Sequence, residues 1–403
     1  MNKSEFLDRL NHCLAALPAQ EKARLNDYYA EMIDDRVENG MSEEEAVAAL
    51  GDPVALAGEL LTGWEDGAEQ PQAMTVAPQD GSAVGGFEKV YIRLKHADAR
   101  ILRGALSEGE AARIDASQPD CFEWRQAGGT LEITELDAAH RGFFRVRTVT
   151  LTLTLGDVAL NRLMVESSGG DVTLQDLAAR EARLHTGSGD IAIRSLQCDG
   201  ALEAVAASGD VTLEHCDAGG RVNLRSISGE VELSRLDHAE VLSAQSVSGD
   251  VKISHAQVDT AVNVRSVSGD VTISGVEGGA VAVQTSSGDA TLRRCQLESL
   301  KVTCISGDLS LEAVETAGSI EAEGKSSDID VVRAAAPDMR LVTVSGDVDV
   351  RLPFRAEGYD IDAFSRSGDV HLPGEDARAR FDDPRRVSAR STSGDVSVSL
   401  LFD

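Results

Sequence analysis

Aromatic residues make up only 4% of this 403-residue chain, so a packed interior must be filled by Val, Leu, Ile and Ala. The six cysteines (Cys13, Cys121, Cys198, Cys216, Cys295, Cys304) form no CxxC pair and no metal-ligand spacing, which excludes a zinc site or a disulfide framework of the usual kinds. At the start, Met1 to Asp8 show no basic stretch leading into an apolar run, and nowhere do some eighteen apolar residues stand together. Neither a secretory leader nor a membrane-spanning helix is written, and the expected location is the cytoplasm with peripheral membrane association. Positive charge is scarce: 38 Lys and Arg face 68 Asp and Glu, for a net charge of -30. Such a chain is repelled by nucleic-acid phosphates and anionic membrane surfaces, so its natural partners are proteins or cationic groups. The eight histidines share no HExxH and no nucleophile-elbow pattern, so no catalytic role and no cofactor are expected.

What the chain does have is a repeat. Ser-Gly-Asp or a close variant returns every nineteen or twenty residues, its acidic member at Asp171, Asp190, Asp210, Glu230, Asp250, Asp270, Asp289, Asp308, Asp328 and Asp347, and then, in lengthened last coils of twenty-two and twenty-six residues, at Asp369 and Asp395. A fixed period in this range marks a stacked repeat architecture. Counted from the acid, apolar residues stand one and three places later (Val211 and Leu213, Val251 and Ile253) and again at six (Leu196, Cys216, Leu236, Cys295). Apolar residues also stand eight and six places earlier (Val222 and Leu224, Val262 and Val264), and hydroxyl residues four and two places earlier (Ser226 and Ser228, Ser246 and Ser248). This alternation predicts two strands per coil with these positions turned inward, and a corner at the Gly-Asp step where glycine relieves the backbone. The expected fold is mainly β: a single-stranded β-solenoid of about 12 coils of 19–20 residues, roughly 55 Å long at about 4.8 Å per coil. Cys216 and Cys295 fall in one column four coils apart, too far for a disulfide, and Cys304 takes a serine position.

Ahead of the repeat, residues 1–62 read as a small all-α domain. Phe6, Leu7, Leu10, Leu14 and Leu17 recur at helical spacing behind Ser4 as cap; a second helix carries Leu25 to Val37; Ser42 and Glu45 form a capping box; Pro53 opens a fourth helix. With no cofactor residues in sight it is an interaction module. Residues 63–86, rich in Gly, Pro, Gln and Asp, read as a flexible linker. Residues 87–160 alternate as strands off the period, an irregular cap that begins the solenoid at 161–403. At the far end, Asp383-Pro384-Arg385-Arg386 reads as a closing cap of prolines and charges.

Two candidate sites follow. The acidic column (Asp190, Asp210, Asp250, Asp270, Asp289, Asp308) is assigned a structural turn role, since one carboxylate per corner cannot complete a calcium shell and Asp accepts backbone N–H bonds in tight turns. The one basic-aromatic cluster, Arg141, Phe143, Phe144, Arg145 and Arg147, is a candidate grip for an anionic lipid or glycan. Coils of near-uniform length leave no long loops from which to build a catalytic cleft.

The head motifs, Leu17-Pro18, Tyr28-Tyr29, Ser42-Glu43-Glu44-Glu45 and Leu50-Gly51-Asp52-Pro53, resemble the HAAS-like helical signalling module of bacteria. From about 87 to 403, Gly128-Gly129-Thr130-Leu131-Glu132-Ile133 and the Ser-Gly-Asp-Val coils resemble the bacterial "putative adhesin" β-strand repeat family. Together they resemble LiaX-type cell-envelope stress proteins. The resemblance implies an envelope-associated scaffold or signalling role without catalysis, with protein partners of the kind found beside PadR-type regulators. An exported adhesin-like sensor of envelope components or cationic peptides is the other role it implies.

Overall fold

A computed structural model describes residues 2–13, 29–30, 33, 36–37, 41–48, 50, 53–54, 82–84, 86–107, 110–136, 149–354, 358–374 and 385–401. The chain divides into two compact units, Met1–Gln72 and Ala73–Asp403. In the first, helix Lys3–Cys13 buries Phe6 and Leu10 against Tyr29, Ile33, Ala46 and Val47. Its cap is Asn2, not Ser4: Asn2 Oδ1 accepts the Glu5 N–H at 2.8 Å while Glu5 Oε2 accepts the Asn2 N–H at 3.2 Å. That reciprocal pair satisfies two orphan donors, which Ser4, two residues later and already inside the helix, could not do. Helix Glu43–Ala48 starts at the expected box, with Ser42 Oγ accepting the Glu45 N–H at 3.3 Å and Glu45 Oε2 accepting the Ser42 N–H at 3.0 Å.

The second unit is the β-solenoid. Val172, Ile191, Val211, Val231, Val251, Val271, Ala290, Leu309, Ile329 and Val348 pair in parallel register from coil to coil and are buried. A matching column runs through Leu184, Ala204, Leu224, Ala244, Val264, Val283 and Val302. Each side chain meets its own equivalents above and below, so aliphatic residues fill the core without aromatic bulk, with Leu and Ala alternating at 184, 204, 224 and 244. The period itself changes inside the stack. Val258 pairs with Gly278, twenty residues on, but Ala261 pairs with Ala280, nineteen on. The residue is lost at the Gly278-Gly279 corner, where Gly278 has φ +118 and an added Cβ would lie 2.1 Å from Val258 O.

Both ends depart from chain order. Strand Lys89–Leu94 lies between Thr130–Glu135 and Leu160–Ser167, parallel to both, and Asp98–Arg103 lies likewise between Thr150–Leu155 and Val172–Gln175. The segment expected to be irregular thus contains a regular coil, with strands Thr130–Glu135 and Thr150–Leu155, later in the chain, stacked outside it. Beyond that, Phe122–Ala127 pairs antiparallel with Thr130–Glu135, and Ala112–Ala116 antiparallel with Thr150–Leu155. Ser82–Val84, read from sequence as the last of the linker, adds an antiparallel strand on Ala112–Ala116. At the other end, Arg385–Ser391 inserts between Asp338–Thr343 and Tyr359–Ser365, and Val396–Leu401 between Val348–Pro353 and Val370–His371. The cap expected at 383–386 is therefore corrected. Arg385 and Arg386 open an interior strand, because the inserted coil carries its own Ser391, Gly394 and Asp395 and completes every column (Asp383 and Pro384 lie outside the described residues).

The corners also differ from expectation. At the Gly-Asp step the reason for glycine is close approach of stacked backbone: an added Cβ at Gly249 would lie 2.1 Å from Gly229 O. The left-handed backbone falls instead five residues after the acid, at Asp176, Ser195, His215, Arg235, His255, Gly275, Arg294, Ala313 and Arg333, with φ between 53 and 62. Gly249→Ala should therefore destabilise by about 3 kcal/mol or more, since only backbone can yield. Gly374→Ala, with nothing within 4 Å of its Cβ, should shift stability by less than about 0.5 kcal/mol. Chemical denaturation of the two variants beside the parent chain checks the contrast.

Candidate functional site

The acidic column is a hydrogen-bond ladder between coils. The backbone N–H of Asp190 donates to Asp171 Oδ1 at 2.9 Å, that of Asp210 to Asp190 at 2.8 Å, that of Asp270 to Asp250 at 2.9 Å, and those of Asp289 and Asp308 to the acids before them at 2.9 and 2.8 Å. The ladder begins at Asp98, which receives Asp171 at 3.0 Å, and follows the spatial order at the far end: Asp395 donates to Asp347, and Asp369 to Asp395, both at 2.8 Å. Each carboxylate thus serves the coil stacked on it, where sequence reasoning placed its bond inside its own turn. At Glu230 the longer arm instead meets Lys252 Nζ at 2.5 Å, and this hydrogen bond raises the ammonium's pKa.

Beneath the acids runs a buried hydroxyl ladder. Ser226 Oγ accepts the Gly229 N–H at 2.9 Å and donates to Gly209 O at 2.8 Å; Ser246 repeats this with Gly249 and Gly229 at 2.9 and 2.9 Å. Cys304 Sγ takes the same place, 3.1 Å from Gly307 O. A buried polar group without such partners would cost about 1–3 kcal/mol. At the first coil, Glu135 does the equivalent work: one carboxylate oxygen accepts the N–H groups of Lys95, His96 and Ala97 at 2.7, 3.0 and 3.0 Å. Nothing in the spacing of Glu135 announces that role, because it acts on the interposed coil, whose amides lie some forty residues earlier in the chain.

Among the described residues, the other titratable groups are spread along the coils. His238 Nε2 lies 3.0 Å from Asp259 Oδ2, while His215 and His255 occupy left-handed corners. His185 Nε2 lies 3.8 Å from Glu203 Oε2, and the imidazole beside it, against the opposing effect of burial, lowers that carboxyl's pKa. All six cysteines are free, and burial pushes the Cys216 thiol up to about 11, so it stays protonated at neutral pH. Among the described residues no group of three or more His, Cys, Asp or Glu is placed to hold a metal ion, and no helix is long and apolar enough to cross a membrane. The basic-aromatic candidates Arg141, Phe143, Phe144, Arg145 and Arg147 lie outside the described residues.

The ladder separates acceptor from charge. Asp270→Asn keeps an oxygen for the Asp289 N–H and removes one of a row of like charges, so the unfolding midpoint should hold or rise. Asp270→Ala strands that N–H and should cost about 1 kcal/mol. Millimolar calcium should leave the parent's melting temperature unchanged; a calcium-dependent rise would reassign the column as a metal site.

Comparison with known proteins covers both units. The Toastrack DUF4097 family model matches residues 88–278 and 262–403, and the HAAS model matches residues 5–59. Among solved structures, a "putative adhesin" from Bacteroides fragilis is 17% identical with a TM-score of 0.36, covering 61% of this chain and 97% of its own. A "putative cell adhesion protein" from Clostridium sporogenes is 11% identical with a TM-score of 0.17, covering 82% and 100%. No curated protein matches the chain. With most of its length, from residue 88 to residue 403, matched by that family model, the chain belongs to the Toastrack DUF4097 family.

Proposed function

We propose that this protein is a non-enzymatic interaction scaffold of a bacterial cell-envelope stress or signalling system, of the LiaX type. The helical head docks a protein partner, in the setting of a PadR-type regulatory system, and the solenoid presents an extended binding face. The observation that carries this reading is how the repeat spends its reactive groups. The Asp, Ser and Gly of the repeated corner are committed to holding the next coil, and among the described residues the remaining His, Cys, Asp and Glu form no metal-holding group. What is left to act is a long periodic surface.

The net charge of -30 favours a second reading, an adhesin-like surface sensor of envelope components or cationic peptides. Two experiments separate them. In the native host, deletion of residues 1–62 should abolish a defined crosslinked partner complex while purified residues 63–403 keep their β circular dichroism; an undiminished complex would sink the scaffold reading. External protease on intact cells should spare the solenoid; its digestion would favour the surface sensor.

A further inference from the structure

Outward side chains in the middle of the solenoid form a face with no carboxylate. Strand residues 221–225, 241–245, 261–265, 280–284 and 299–303 stack in parallel register. Their fifteen outward positions, three on each of five strands, carry four cations, Arg221, Arg225, Arg265 and Lys301, and no Asp or Glu. The other eleven are Asn, Gln, Ser, Thr, Ala and Val. The same columns turn acidic immediately outside: Glu203 pairs with Asn223 in register before the face, and Glu321 and Glu323 with Lys301 and Thr303 after it. The Asp210 to Asp308 ladder borders one side; on the other, Glu240 and Glu298 directly precede Val241 and Ser299, with Asp217, Asp237, Asp259 and Glu277 farther back along the chain. In a chain this acidic, the face is a bounded exception.

Its size follows from strand geometry: about 19 Å along the stack and about 13 Å across. From the centre, the glutamates beyond either end of the stack lie past the screening length of about 8 Å at physiological salt, so a ligand running along the stack meets the face's own charge more than those end glutamates. Arg265 is held flat by donating Nε and Nη2 to Gln284 Oε1 at 3.1 and 2.6 Å. Lys301 is partly neutralised by Glu321 at 3.2 Å. Among the described residues Arg221 and Arg225 are exposed and meet no carboxylate.

We propose that this face binds an acidic peptide segment of a protein partner in extended conformation. Guanidinium forks match carboxylates, while Asn, Gln, Ser and Thr both donate and accept, as a peptide backbone requires. Val241, Ala261, Ala280 and Ala282 are small enough to let that backbone lie close. About six residues span the face at about 3.3 Å each. The face holds no aromatic ring on which sugars or bases could stack, and an anionic membrane would be pressed against Glu203, Glu321 and Glu323 on the same surface. The inference rests on the solenoid being a binding face, and it is measured without the head's partner, so its failure is separable from that of the head-deletion test.

The test is fluorescence anisotropy of a labelled oligoglutamate peptide with the full chain, comparing Arg225→Glu/Arg265→Glu with Arg235→Glu/Arg294→Glu. The second pair makes the same charge change at the left-handed corner, and melting curves confirm that both variants fold. The face variant should weaken binding roughly tenfold or more, and the corner variant by less than roughly twofold. Equal losses, or no binding by the parent chain, would overturn the proposal. So would face-dependent binding of inorganic polyphosphate or of phosphatidylglycerol vesicles without binding of oligoglutamate, which would reassign the face to a phosphate polymer or a membrane.

Discussion

The contact on which this structure depends is backbone against backbone at the Gly-Asp corner. There one coil's glycine rests on the carbonyl of the glycine beneath it, leaving no room for a Cβ. That approach holds neighbouring coils at strand spacing through the turn as well as along the strands, so the hydrogen-bond ladder does not break at the corner. The acid above and the hydroxyl below then close the remaining polar groups. Both act on the adjacent coil, which makes each coil's satisfaction conditional on its neighbour. A single coil has neither a buried face nor satisfied corners, and the stack is the smallest unit that folds.

Dependence on neighbours makes the ends the weak points of any solenoid, since the last coil presents an open edge. Here the first coil, 89–103, and the last, 385–401, are both interposed between other coils instead of lying outermost. A terminal segment paired on two edges cannot fray by losing one interface. The coil left outermost at the far side, 359–371, is held by chain continuity at both of its ends. Its inward residues pay for that position, with Val370 39% exposed.

The period, the inward columns and the two-strand coil were legible because each rests on a residue type that recurs at the same offset. The order of coils at the ends was not, because an interposed coil satisfies the same columns as a coil in chain order; Asp395 reads identically whether it stacks on Asp369 or on Asp347. The left-handed corner escaped because Asp, Ser, His, Arg, Gly and Ala all occupy it, so no single residue type marks it. That glycine at the Gly-Asp step avoids a side-chain clash was legible; that the clash would be with the carbonyl of the glycine in the coil beneath was not, because sequence registers that a side chain is absent and not what it would meet. Of the candidate sites, the partners of the acidic column emerged only from coil-to-coil register, and Glu135 was invisible because its amides lie some forty residues away.

These distinctions bear on where function can reside in such a chain. A position whose residue is dictated by the stack carries little information about partners, however often it recurs; the Ser-Gly-Asp corner is the plainest part of the sequence and the least able to discriminate a ligand. Information about binding sits in outward positions, where Arg, Glu, Asn or Thr serve the stack equally well. There the relevant signal is a run that departs from the chain's own bias. Five consecutive coils without an outward acid on one face form such a run, bounded at both ends by glutamates in the same columns. The stacking rules do not require it, so its cause must be sought in what that face meets.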